Sequence, residues 1–134
     1  MSEPTIFACD AAPGCRYAAV LGRTNFEASM RNAKRLADRL SGAPYRSLVI
    51  DYRGAEPSLT PDQYAAFFSS LMPQLSKLDR IAYVYAPGTV LRAAHATRQL
   101  SDMGINARAF ASWDETAEFL DIKADDPFPE TSAA

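Results

Sequence analysis

One histidine, two cysteines and one tryptophan are all that 134 residues carry of these three types, and each scarcity excludes something. His95 alone supports neither a zinc site nor a paired Cys/His nucleophile. Cys9 and Cys15 flank a turn at Pro13-Gly14 and read as free thiols rather than a disulfide framework. No window approaches the roughly 18 consecutive apolar residues of a membrane span. The opening Met-Ser-Glu-Pro has an acid where a signal peptide needs positive charge, so the cytoplasm is the expected location. Neither Gly-x-Gly-x-x-Gly nor Gly-Lys-Ser/Thr occurs, which removes the sequence basis for a nucleotide cofactor. A formal charge of −2 lacks the basic excess of a nucleic-acid binder. Arg31, Lys34, Arg35 and Arg39 do cluster, but among apolar positions, as on a solvated helix face. No cofactor and no metal is expected.

What is present is a globular composition, 48% apolar and 22% charged, enough for one core and too little chain for two. Residues 1–122 are expected to form one domain. Residues 123–134, with acids and two prolines, are expected to be a flexible tail.

The strongest pattern is a hydroxyl residue with Glu or Gln three positions later, directly after an apolar run. It occurs at Thr24/Glu27, Thr60/Gln63 and Ser112/Glu115. Each reads as a capping box at a strand-to-helix junction. Apolar runs at Thr5–Cys9 and Arg16–Leu21 around Asp10–Gly14 read as a hairpin. Helical periodicity follows in Phe26, Met30, Ala33, Ala37 and Leu40, with Gly42 as a left-handed stop. Ser47–Tyr52 and Arg80–Ala86 are covered strands. Tyr64, Phe67, Phe68, Leu71 and Leu75 line a helix that Pro73 is expected to bend or end. Val90, Leu91, Ala94, Thr97 and Leu100 are the expected inner side of the next. Asn106–Ala111 and a helix from Ser112 complete the chain. The order β-β-α-β-α-β-α-β-α predicts an α/β fold: one mostly parallel sheet of about five strands, an antiparallel N-terminal edge strand and about four helices. Ligands and partners then meet the loops at the carboxyl ends of the strands.

Element order, together with Leu48-Val-Ile-Asp51, Arg53-Gly54, Leu59-Thr-Pro-Asp62, Arg80-Ile-Ala-Tyr-Val84, Ala107-Arg-Ala-Phe110 and Trp113-Asp-Glu-Thr-Ala-Glu-Phe-Leu120, resembles the STAS domain, in its SpoIIAA-like branch. The resemblance covers about Arg16 to Leu120. It implies a non-enzymatic bacterial regulatory module that binds another protein and is switched by phosphorylation where the loop after the Leu-x-Ile-Asp strand enters the next helix. Here that stretch is Glu56-Pro-Ser58-Leu-Thr60, and the family's usual Asp-Ser or Asp-Thr step is absent. Ser58 is favoured by exposure and Thr60 by position, while Thr60 also reads as a plain N-cap. The expected surface comprises Asp51, Arg53, Glu56 and Asp62, with Gly88 and Thr89 as a further anion-facing turn. Asp51 beside Arg53 reads either as part of this surface or as a local pair.

Two further expectations remain. The resemblance also implies a small apolar-ligand or lipid carrier, with Tyr64, Phe67, Phe68 and Tyr85 lining a cavity. A hairpin edge strand and a free helix face would allow a homodimer.

Overall fold

The computed structural model describes residues 4–56 and 58–129. Pro57, within the expected switch stretch, and residues 130–134 of the expected tail lie outside the described residues. The hairpin comes first: β1 (Thr5–Ala12) pairs antiparallel with β2 (Cys15–Arg23). Its turn needs Gly14, whose φ of 77° is a left-handed conformation that side chains disfavour. Both strands run further than their apolar runs, and a register shift between Asp10 and Ala12 absorbs the difference.

From β2 the chain winds through α1 (Phe26–Ser41), β3 (Ser47–Asp51), a two-residue strand β4 (Ala55–Glu56), α2 (Pro61–Leu75) and β5 (Arg80–Val84). One 3₁₀ turn (Pro87–Thr89) then leads into α3 (Val90–Asp102), β6 (Ala107–Phe110) and α4 (Trp113–Leu120). The sheet order is β1-β2-β3-β5-β6, with β4 beside the end of β2. Every pairing after the first is parallel. The architecture is therefore the expected α/β sheet with an antiparallel edge and four helices.

All five residues of β3 are buried because both faces are covered. Leu48 and Ile50 join Ala33, Leu40, Phe68, Leu71, Ile81 and Leu100 in the core beneath α1, α2 and α3. Val49 faces the other way, with Tyr17, Ala82, Val84, Trp113 and Leu120 beneath α4. Each fully buried Leu or Ile contributes about 1.5–3 kcal/mol.

Four local expectations are corrected. Asn25, not Thr24, caps α1: its side chain accepts from the Ala28 amide at 2.8 Å. Thr24 is buried and turned toward a different loop. Gly42 has φ −86° and is right-handed, so it needed no glycine-specific conformation. Pro73 sits inside α2 without ending it, since the burial of Leu71 and Leu75 on either side outweighs one lost helical hydrogen bond. In α3 the buried face is Ala93, Ala96 and Leu100, while Val90, Leu91 and Ala94 point outward. The small residues let α3 approach the sheet closely, and Arg92 fixes its rotation by donating to the Leu59 carbonyl at 3.0 Å.

Trp113 Nε1 donates to the Ala124 carbonyl at 2.8 Å, and Phe128 packs against the core beneath α4. Among the described residues no helix is long and apolar enough to cross a membrane. Both cysteines are free.

Because Asn25 makes the cap, Asn25→Ala is expected to cost about 1 kcal/mol in urea unfolding. Glu27→Ala, at an exposed position of the first turn, should stay within about 0.5 kcal/mol. Equal losses in the two variants would restore the Thr24/Glu27 box.

Candidate functional site

The parallel strands deliver their carboxyl ends, and the loops after them, to one rim. At its centre Asp51 ends β3 with no solvent exposure. A buried carboxylate is costly unless paired, and this one is surrounded by donors. Tyr17 on β2 donates its hydroxyl to Oδ2 at 2.5 Å. The Arg53 amide donates to Oδ1 at 2.9 Å, and Arg53 Nη2 to Oδ2 at 2.7 Å. Burial, then the bond to Asp51, pushes the Tyr17 phenol far above its ordinary value, so it remains a donor.

The outer edge of the same guanidinium takes the tail. Arg53 Nη1 and Nη2 each donate to Asp126 at 2.8 Å, a two-pronged ion pair. The Phe128 ring lies 4.7 Å from the Arg53 guanidinium carbon. Gly54 makes this approach feasible, since a Cβ there would stand 2.6 Å from Leu21 and 3.0 Å from Phe128. Asp51 and Arg53 thus form the local pair, and the chain's own tail covers Arg53.

The expected switch stretch lies beside this cluster. The Thr24 amide donates to the Glu56 carbonyl at 3.1 Å, and the Ser58 amide donates to Thr24 Oγ1 at 2.9 Å. Ser58 Oγ donates to the Thr24 carbonyl. Thr24 is therefore the pin that holds the loop against the end of β2, a role that its local sequence disguised as a cap. Thr60 does cap α2: it accepts from the Gln63 amide at 3.2 Å, and Gln63 Oε1 accepts from the Thr60 amide at 2.9 Å. The Ser58, Glu56, Thr60 and Asp62 residues are exposed. Gly88 is exposed at the neighbouring turn, while Thr89 Oγ1 bonds back to the Ala86 carbonyl and leaves α3 uncapped. The bond from Arg92 to Leu59 ties the start of α3 to the Ser58–Thr60 stretch, and Val90 and Leu91, just before Arg92, are exposed (48% and 82% accessible).

The residues expected to line a ligand cavity do not form one together. Tyr64, Phe67 and Phe68 are buried core and Tyr85 packs against it. A separate apolar cavity of about 240 Å³ lies between the hairpin, β3 and α1. Ile6, Ala8, Ala18 and Val20 floor it, α1 walls it, and Phe67 alone of the expected four reaches it.

Sequence reasoning missed Tyr17, Thr24, Asp126 and Phe128. Tyr17 lies 34 residues before Asp51 and Asp126 lies 73 after Arg53, so no local spacing links them. The one available signal was Gly54, placed directly after a buried strand's acid and arginine.

Removing Asp51 would leave Tyr17 and Arg53 without their shared acceptor, so Asp51→Ala is expected to cost about 3–5 kcal/mol. Asp126→Ala, at a partly exposed pair, should cost at most about 1 kcal/mol. Its hydrogen bonds from Arg53 hold the Asp126 carboxyl below the usual range. Tail docking is then complete above the ordinary carboxylate value of about 4 and is lost as pH falls through the lowered one. The fluorescence of Trp113, bonded to the same segment, reads this out. Release beginning at pH 6 or above would refute the pairing.

No protein-family model matches the chain, and no curated protein matches it. Solved structures do. One is an uncharacterized protein of the DUF3478 family with a SpoIIAA-like fold from Shewanella loihica PV-4, at TM-score 0.61 and 16% identity, covering 88% of this chain and 94% of that one. Another is the anti-sigma factor antagonist SpoIIAA in its unphosphorylated form, at TM-score 0.57 and 6% identity, covering 89% and 99%. On these likenesses the chain has the SpoIIAA-like fold.

Proposed function

We propose that this protein is a non-enzymatic regulatory module of the bacterial cytoplasm that binds another protein through the rim formed by residues 58–62 and the start of α3. The observation that carries the reading is the exposed Val90–Leu91 pair at the start of α3, a helix that Arg92 ties to the Leu59 carbonyl. One exposed leucine is ordinary. An exposed apolar pair on a helix tied to a loop of phosphorylatable hydroxyls offers a contact and a means of cancelling it. The neighbouring fold of an anti-sigma factor antagonist supports a partner of the anti-sigma-factor kind. A catalytic role is disfavoured because the most buried acid, Asp51, already has both oxygens engaged.

The two hydroxyls would act differently. A phosphate on Ser58 would replace the proton donated to the Thr24 carbonyl and unpin the loop. On Thr60 it would sit at the N-terminus of α2, where the helix dipole favours it, and add charge to the contact surface without moving the backbone.

Affinity capture from cell extract, with bound proteins identified by mass spectrometry, tests this. One partner recovered by the wild type should fall at least tenfold with Leu91→Asp at unchanged melting temperature, and should fall with Ser58→Asp or Thr60→Asp. Undiminished recovery with Leu91→Asp removes the surface, and undiminished recovery with both aspartates removes the switch.

The apolar cavity beside α1 favours a second reading, binding of a small apolar ligand. Native mass spectrometry of the purified protein should then show a bound small molecule, and a clean unliganded mass counts against it.

A further inference from the structure

Resting on that second reading, we propose that the cavity takes a single-chain carboxylate of medium length, its head on Arg16 and its chain along the hairpin. Register sets out the floor. Arg16, Ala18 and Val20 alternate onto one face of β2 and pair with Asp10, Ala8 and Ile6 of β1. The two alanines facing each other leave the space that larger cross-strand partners would fill. Leu36 of α1 and Ile50 of β3 complete an apolar wall.

Apolar side chains of the hairpin and β3 face an α1 wall that carries Ser29 and Asn32 beside Leu36. Among its lining residues are Arg16, Arg35 and Arg39 and no acid. Asp10, just outside, accepts from Arg16 Nη1 at 3.0 Å and from the Tyr45 hydroxyl at 2.7 Å, and Arg39 Nε donates to that same hydroxyl at 3.2 Å. One guanidinium therefore reaches Asp10 directly, and a second only through the Tyr45 hydroxyl. Arg16 is also left incomplete: its Nε is buried and has no hydrogen-bond partner among the described residues. A buried donor without an acceptor is destabilising, and the Nε edge of a guanidinium is a two-donor fork matched to a carboxylate. Size selects the rest. About 240 Å³ is below the roughly 300–1,000 Å³ of sites for drug-sized molecules, which favours one acyl chain over a two-chain lipid.

Calorimetric titration of the full chain with decanoate, octanoate and decanol tests the assignment. Decanoate should bind one-to-one and at least tenfold more tightly than decanol, and each methylene from octanoate should tighten binding about fourfold. Arg16→Met should weaken decanoate at least tenfold and leave decanol unchanged. Arg16→Lys, which keeps the charge but loses the fork, serves if the methionine variant does not fold. Ala18→Phe, filling the floor, should abolish binding of both. Equal affinity for decanoate and decanol overturns the carboxylate head while leaving an apolar ligand. Binding of neither overturns the apolar-ligand reading as well. Binding that survives Ala18→Phe overturns the location.

Discussion

A carboxylate with no access to solvent, Asp51 at the end of the central strand, demands compensation, and much of the rim is arranged to provide it. The donors arrive from two directions: a phenol from the neighbouring strand and a guanidinium from two residues on. Arg53 then has a second edge to satisfy, and it draws in Asp126 and the Phe128 ring. The turn at residue 53 and the approach of the tail thus both answer one buried charge. Its stabilising effect is conditional, because ion pairs removed from water gain only where every lone pair is used. Here both oxygens are.

That arrangement separates two regions of the rim. Around Asp51 the groups are mutually saturated and the surface is closed by the protein's own tail. Around Ser58, Thr60 and Leu91 the side chains are exposed and the backbone is held by a few hydrogen bonds from Thr24, Gln63 and Arg92. A recognition surface needs this second kind of construction, since a partner must find groups that are positioned and also accessible. The cavity beneath α1 follows a related logic on the other side of the hairpin, where small side chains leave volume and one arginine keeps an unused donor.

Local features were legible where competition was local. Thr60 and Ser112 cap their helices because the hydroxyl, the amide three residues on and the apolar run before them are close in sequence. The same pattern misled at Thr24, where Asn25 is an equally good acceptor and only the approach of Glu56 and Ser58 decides which residue turns inward. Phase in α3 failed for a similar reason. Val90 and Leu91 look like core by hydropathy, yet close packing of Ala93 and Ala96 on the sheet rotates them outward. An end at Pro73, one of the two outcomes expected there, did not occur, because propensity counts one lost bond and cannot count the burial of Leu71 and Leu75.

By itself the sequence determined the alternation of strands and helices, the parallel sheet, the hairpin edge and the loops that share a rim, because period, caps and turn residues act over a few positions of chain. Only the tertiary structure decided that Tyr17 answers Asp51, that Asp126 and Phe128 close over Arg53, and that Arg16 faces a cavity with a free donor. Those contacts join residues far apart along the chain, and whether a polar group is satisfied depends on what the fold brings to it, which no local pattern records.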